Sequence, residues 1–137
     1  MLRSRVRAAD GFTLVEVLVV ILIIGVLAAI ALPAFLDQRE KAQDAQAKTV
    51  VAAAATALQI YEGEHDTYDA TAAELIEIEA TIRQAYHFTV TGTVSTFTVA
   101  VDSRAGGTFG ITHDTDGTVT RSCTKPGEGS CGDDGTW

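Results

Sequence analysis

The sequence contains few of the residues from which catalytic or metal sites are usually built. It has two cysteines, three histidines and two prolines in 137 residues, with neither a G-x-S-x-G nor a P-loop motif. Two cysteines cannot complete a tetrahedral zinc site, and His65, His87 and His113 lack metal-ligand spacing, which favours surface positions. Gly127–Gly132 matches G-x-G-x-x-G but neither follows a clear strand nor opens a helix. We therefore expect a non-enzymatic protein without a resident cofactor or metal.

Charged side chains are missing from the run Val17–Leu36, which Glu16 immediately precedes. Its 20 residues correspond to about 30 Å of helix, the thickness of a bilayer's hydrocarbon. A secretory signal cut near residues 29–31 is one interpretation. The run is longer than the usual apolar core of such signals, and Glu16 is foreign to them, so a retained anchor is favoured.

Charge is divided between the two sides of this run. Arg3, Arg5 and Arg7 precede it, whereas the chain from Phe12 onward has 7 Lys and Arg against 17 Asp and Glu. Basic residues before the run predict an N-terminus in the cytoplasm and the remainder outside. The acidic remainder makes nucleic acid an improbable partner.

The segment 37–62 lacks glycine and proline and is rich in helix formers, so it predicts a helix that ends at Gly63. Joined to the apolar run, this helix would reach about 50 residues, too long for a small globule to bury. One of its faces carries small and apolar residues at spacings of three and four: Ala42, Ala45, Thr49, Ala52, Ala53, Thr56 and Ile60. No charge occurs between Lys48 and Glu62, which predicts partners on several sides unless alanine merely tolerates exposure.

The residues after Gly63 predict a small α+β head. Thr71-x-x-Glu74 is a capping box that predicts a short helix over 72–85. Alternating apolar and threonine residues then predict three or four antiparallel strands in a meander, with the apolar face packed on a helix. The runs around 86–91, 96–101, 109–111 and 119 form this pattern.

Cys123 and Cys131 lie near the C-terminus. Outside the cytoplasm they would form a disulfide worth about 2.5 kcal/mol, the alternative being two free thiols. A weak calcium site is a further alternative. It could be formed by Asp114 and Asp116, or by the loop of Glu128, Asp133 and Asp134. Asp114 and Asp116 fit a hairpin turn better than a calcium loop.

The stretch GFTLVEVLVVILIIGVLAAIALPAF, from Gly11 to Phe35, resembles the N-terminus of bacterial type IV pilins and of the pseudopilins of type II secretion. A basic leader ends in Gly, an aromatic residue follows, Glu16 is the fifth residue beyond the Gly, and Pro33 lies near the end of the apolar run. The likeness covers Gly11 to about Lys48. Asp10 departs from it, since the family often has a basic residue there.

The resemblance implies a class III prepilin signal and an α+β fold, in which a long N-terminal helix packs on a small meander. Residues 1–11 would be the leader, 12–36 the transmembrane and filament-core helix, 37–62 its amphipathic half, and 63–137 the head with its cysteine loop. A prepilin peptidase would cut after Gly11 and methylate the new amine of Phe12.

The resemblance also implies a cellular location and a set of partners. The precursor would cross the cytoplasmic membrane once, with its head outside, and then enter an extracellular pilus. Its partners would be copies of itself, the peptidase and methyltransferase, and an inner-membrane assembly platform with its ATPase. The alternatives are a pseudopilin of a type II secretion system, or a minor or competence pilin for DNA uptake or adhesion.

Four residues would then serve assembly: Phe12, Glu16, Gly25 and Pro33. A carboxylate within hydrocarbon is costly, and the Phe12 amine of a neighbouring subunit would stabilise Glu16. The alternative is a Glu16 that reaches the headgroups. Pro33 should kink the helix, either to steer the head or because residues 25–33 unwind in the filament.

Overall fold

The computed structural model describes residues 11–137, so the predicted leader residues 1–10 lie outside the described part of the chain. The chain divides after Leu36 into two compact units. The elements are helix α1 (Leu14–His65), helix α2 (Ala72–Ile78), a 3-10 helix (Ala80–Gln84), and strands β1 (Phe88–Gly92), β2 (Phe97–Asp102), β3 (Thr108–His113) and β4 (Val119–Cys123). The predicted α+β class, a long helix and a four-stranded antiparallel meander, is confirmed.

The first unit contains the N-terminal part of α1. Its large apolar side chains are exposed, from 81% at Phe12 to 48% at Leu36. Helical backbone bonds continue through Pro33, although proline has no N–H to donate to the carbonyl four residues earlier.

The second unit builds its core between the rest of α1 and one face of the sheet. Val51 and Leu58 on the helix, and Val99 on β2, are completely buried. The helix contributes Ala47, Val50, Val51, Ala54, Ala55, Ala57, Leu58 and Tyr61 to this core. At roughly 25 cal/mol per Å² of apolar surface, these contacts stabilise the helix far more than alanine propensity does.

The stripe that begins at Ala42 and ends at Ile60 is a single helix face, but it is the face that the sheet leaves uncovered. Ala42, Ala45, Thr49 and Thr56 are exposed, and Ile60 is 48% exposed. Ala53 is half-buried, and Ala52, at the margin of the stripe, is half-buried against the core. The sheet packs instead on the face that carries the larger side chains Val50, Val51, Leu58 and Tyr61, because larger apolar side chains remove more surface from water.

The strands are in sequential order, and their register separates an apolar face from a threonine face. Val99 pairs with Val90 and Ile111, and these three side chains point toward the helix. On the opposite face Thr98 pairs with Thr91 and Thr112. The predicted alternation is therefore confirmed on β2, whereas Val119 at the start of β4 is exposed.

The predicted helix end at Gly63 is wrong, since α1 continues to His65. Asp66, with φ of 55°, adopts the left-handed conformation that ends the helix, which aspartate tolerates better than most residues. Its N–H still donates to the Glu62 carbonyl oxygen at 2.7 Å, so the last turn closes beyond the glycine.

The predicted helix over 72–85 is two elements rather than one. Glu79 leaves the helical conformation, with φ −134° and ψ 98°, and separates α2 from the 3-10 helix. Its N–H donates to the Leu75 carbonyl oxygen at 2.8 Å, while its carboxylate accepts from the Thr81 N–H at 3.0 Å. One glutamate thus ends α2 and begins the next turn.

Candidate processing and assembly segment

The first turn of α1 is closed by a capping box between Thr13 and Glu16. A Glu16 carboxylate oxygen accepts hydrogen bonds from the Thr13 N–H at 2.8 Å and from the Thr13 hydroxyl at 2.7 Å. The Glu16 N–H donates to the Thr13 hydroxyl oxygen at 3.2 Å. These bonds satisfy N–H groups that would otherwise lack partners at a helix start.

This geometry turns the Glu16 carboxylate back toward the N-terminus of the helix. Its backbone donor, Thr13, is bonded directly to Phe12. The negative charge is therefore held within about a turn of the site where cleavage would create an amine, at the positive end of the helix dipole. A carboxylate so placed can attract a cationic group close to Phe12.

Thr13 is absent from the predicted site residues, although its sequence signal was available. Thr13-x-x-Glu16 has the same capping-box spacing as Thr71-x-x-Glu74. The structure forms both boxes, and the first one adds Thr13 to the residues that control Glu16.

Gly11 and Gly25 are not required by the packing of the subunit itself. Within the described residues, a Cβ atom at either position would meet no neighbouring atom within 4 Å, apart from the local helix backbone, and Gly25 has no positive φ. A need for glycine at these positions must therefore arise from other molecules, such as an enzyme at Gly11 or a packed helix at Gly25.

Residues 25–33 are helical in this subunit. The predicted unwinding concerns an assembled filament and stays a prediction, as does the steering role of Pro33. Gly11, Phe12 and Glu16 lie together at the helix start, whereas Gly25 and Pro33 lie farther along the same helix.

The segment after the capping box is long and apolar enough to cross a membrane. An 18-residue window of α1 has a mean hydropathy of 3.1, and none of that window is buried. Exposure of this much branched side chain to water is unfavourable, so the segment requires lipid or other helices around it.

The predicted cysteines lie in the second unit. The structure joins Cys123 to Cys131 in a disulfide with a Cα–Cα distance of 5.8 Å. Cys123 ends β4, and the bond closes a turn-rich loop beyond it. Gly127–Gly132 belongs to this loop, where no helix follows that could hold a phosphate.

The calcium candidates form turns. Asp114 accepts the Gly117 N–H through its carbonyl oxygen at 3.0 Å, which closes the β3–β4 hairpin, and the Asp116 carboxylate accepts the Thr118 N–H at 2.8 Å. The Asp134 carboxylate is occupied by Thr136. Within residues 11–137 no group of three metal-ligating side chains occurs.

The three histidines are separate, as predicted, but one of them is not a surface residue. His65 stacks on Tyr61, and His87 pairs with Asp102 at 3.0 Å. His113 is half-buried, because its ring stacks on Phe97 with the centroids 5.3 Å apart.

Comparison with known proteins finds a family motif in the N-terminal segment. Residues 6–32 match the model of the prokaryotic N-terminal methylation motif. The chain is 39% identical over 68 residues to type II secretion system core protein G of Vibrio cholerae serotype O1, a match that covers 50% of this chain and 47% of that protein.

Pilins match over a similar length. Type IV major pilin protein PilA of Myxococcus xanthus is 42% identical over 65 residues, covering 47% of this chain and 30% of the relative. Type IV major alpha-pilin of Moraxella bovis is 48% identical over 59 residues, covering 42% and 37% respectively. The chain thus spans less than half the length of these curated relatives.

The fold and the N-terminal segment define an α+β protein that carries the methylation motif on an exposed apolar helix. Together with the relatives, these features support a type IV pilin-like protein. These relatives are named as two major pilins and a core protein of type II secretion.

Proposed function

We propose that the protein is the structural subunit of a type IV pilus. The observation that carries this proposal is the helix segment 14–36, whose large apolar side chains are about half exposed or more and whose charged groups are confined to its first turn at Glu16. Lipid covers this surface in the precursor, and the helices of other subunits cover it in the filament.

Cleavage after Gly11 and methylation of Phe12 would convert a peptide nitrogen into a cationic amine. The Glu16 carboxylate, already aimed at the helix start by Thr13, then has a charged partner on its own or a neighbouring chain. In a low-dielectric filament core each charge needs the other. Removing either partner would leave the remaining charge buried and unpaired, which is strongly destabilising.

A contact that joins Glu16 of one subunit to Phe12 of the next is heterologous. It does not close on itself, so repetition produces a fibre rather than a dimer. The membrane holds the precursors in one orientation, with the head outside, and the fibre grows as subunits leave the lipid. The peptidase and methyltransferase, and an assembly platform with its ATPase, would act on this same segment.

Replacing Glu16 with Ala tests the proposal. We expect cells that express the E16A chain to process it normally but to form few or no surface fibres in electron micrographs. The matched control is Glu64→Ala, which removes an exposed carboxylate near the other end of α1. Normal fibre numbers in the E16A strain would contradict the charge-pairing model.

A pseudopilin of type II secretion is the second candidate, favoured by the similarity to core protein G of Vibrio cholerae. The two functions predict different effects of deleting the gene. Deleting the gene should abolish surface fibres if the protein is a pilin, whereas it should leave secreted enzymes inside the periplasm if the protein is a pseudopilin.

A further inference from the structure

The disulfide loop is held against α1 by two side chains that the proposed function does not use. Asp44 and Lys48 lie one helical turn apart, and both bind the backbone of Ser130, the residue before Cys131. An Asp44 carboxylate oxygen accepts the Ser130 N–H at 2.9 Å. Lys48 Nζ donates to the Ser130 carbonyl oxygen at 2.5 Å. One helix therefore holds both main-chain polar groups of one loop residue.

Asp44 depends on this contact because it is buried, with 3% of its surface exposed. Its second carboxylate oxygen accepts the Ser103 hydroxyl at 2.5 Å, and the ion pairs found in residues 11–137 do not include it. A buried carboxylate whose donors are removed is strongly destabilised. The hydrogen bond from the Ser130 N–H to Asp44 therefore stabilises the closed position of the loop.

Lys48 is itself held by aromatic rings. Its ammonium lies 5.2 Å from the centre of Phe109 and 5.5 Å from that of Trp137. The Trp137 indole N–H donates to the Gly110 carbonyl oxygen at 3.3 Å, which ties the C-terminal residue to β3. Cation–π contacts of this kind hold the ammonium close to β3.

The fit at Gly129 is an independent sign that the contact is specific. Gly129 has φ of 59°, and a Cβ atom there would lie 2.3 Å from an Asp44 carboxylate oxygen. The loop thus approaches the carboxylate more closely than a residue with a side chain permits.

We propose that Asp44 and Lys48 form a latch that controls the access of thiols to the Cys123–Cys131 disulfide. Both cysteines are buried, with 9% and 8% of their surface exposed, and the cavity that they help to line has a volume of only about 30 Å³. We therefore expect a reductant larger than water to reach sulfur when the loop lifts. Because Ser130 is bonded to Cys131, breaking the latch and uncovering the Cys131 sulfur are one motion. The latch keeps the loop oxidised even where thiols are present.

The reaction to be controlled is exchange with a dithiol reductant. Its thiolate attacks one sulfur of the disulfide, the S–S bond breaks, and the other cysteine leaves as a thiolate. The second thiol of the reductant then displaces the protein from the mixed disulfide. Two electrons and two protons pass to the protein, which ends with two thiols, while the reductant ends as a cyclic disulfide.

The test measures reduction of the full oxidised chain, in detergent, by dithiothreitol, with the free thiols alkylated and counted by mass spectrometry. We expect Asp44→Asn and Lys48→Met each to accelerate reduction roughly tenfold or more, since each removes a charged hydrogen-bond partner. Lys48→Met removes the charge and the hydrogen-bond donor but keeps an unbranched apolar side chain. Lys41→Met, at an exposed position on the same helix, should leave the rate unchanged.

Gly129→Ala is a second test of the latch, and it leaves Asp44 and Lys48 unchanged. It should accelerate reduction because the new methyl group pushes the loop from Asp44. The control is Gly117→Ala, which also has a positive φ but whose added Cβ would meet nothing within 4 Å. Its expected rate is that of the unchanged chain.

Global stability, measured by urea unfolding of each oxidised variant, decides between local and global opening. A latch is supported if the rate of disulfide reduction increases by a larger factor than the global unfolding equilibrium constant, because reduction then proceeds through local opening. Equal changes in both quantities, or unchanged rates in Lys48→Met and Gly129→Ala, would overturn it. If Asp44→Asn does not fold, the Lys48→Met and Gly129→Ala rates decide the question by themselves.

Discussion

Thr13 and Glu16 share one task at the start of α1. The threonine hydroxyl both donates to the carboxylate and accepts the Glu16 N–H, so removing it leaves the carboxylate with only the Thr13 N–H as a donor and frees the Glu16 N–H. Thr13 is therefore a positioning residue for the charge proposed to direct assembly, and its effect should appear first in the local stability of this turn.

Replacing Thr13 with Ala should speed amide exchange at Glu16, measured on the full chain in detergent micelles. Loss of an N-cap side chain costs about 0.5–2 kcal/mol, which corresponds to an increase of roughly twofold to thirtyfold. Thr13→Ser keeps the hydroxyl and serves as the control. Equal exchange rates in the alanine and unchanged chains would contradict the role given to the capping box.

At the scale of elements, α1 after residue 37 carries two apolar faces with different partners. The sheet covers the face that includes Leu58, and the face that includes Ile60 is left open. Both faces show the helical period, so the period could not indicate which of them meets the sheet. Side-chain volume and the register of β2 made that choice.

Leu58→Ala should lower the free energy of unfolding of the head by about 2–5 kcal/mol, because it deletes fully buried methyl groups and leaves a cavity. Ile60→Ala is the matched control, with an expected loss below about 0.5 kcal/mol. Urea unfolding followed by Trp137 fluorescence would measure both. A similar loss in the two variants would mean that the packed face is wrongly assigned.

The capping box of α2 predicts a pH dependence. Hydrogen bonds from the Thr71 hydroxyl and N–H hold the pKa of Glu74 below its ordinary value of 4.5. A carboxyl whose pKa is lower in the folded chain stabilises the fold above its ordinary pKa, and this contribution is lost as the pH falls through the folded value. Acid below pH 4.5 should therefore weaken α2.

Glu74→Gln keeps the cap geometry but cannot titrate. Between about pH 5 and pH 3, its free energy of unfolding should fall less steeply than that of the unchanged chain. Glu77→Gln removes a carboxylate from the same helix outside the cap and is the control. A difference between Glu74→Gln and the unchanged chain that stays constant across this range would contradict the predicted linkage.

At the scale of the whole molecule, the two units differ in how their apolar side chains are covered. The second unit, Asp37–Trp137, has its own core and a disulfide, whereas the large apolar side chains of residues 14–36 are exposed. Under the proposed function, this apolar segment would pass from lipid in the precursor to the other subunits of the filament.

Gly11→Val should block this passage at its first step. The subunit fold does not require glycine there, since a Cβ atom would meet no neighbour, so the variant should insert and fold as usual. Intact-mass analysis of membrane fractions should find the uncut chain and no methylated Phe12. Processing at the normal rate would contradict a cut after Gly11, and Gly63→Val is the control at an equally open position.

Local chemistry along the chain was enough to predict the apolar helix, the strand pattern and the helix cap at Thr71, because these depend on residues a few positions apart. The resemblance of Gly11–Phe35 to pilins rested on the same short range. The position of the Glu16 charge at the first turn also followed from near neighbours, although the role of Thr13 was overlooked.

Contacts between distant segments depended on the packed chain. The sheet selected the Leu58 face of α1 over the Ile60 face, and Asp44 was buried under Ser130, 86 residues away. Burial energy depends on shape and volume summed over elements far apart in the chain. A pattern of neighbouring residues carries no information on that sum, so these features required the folded molecule.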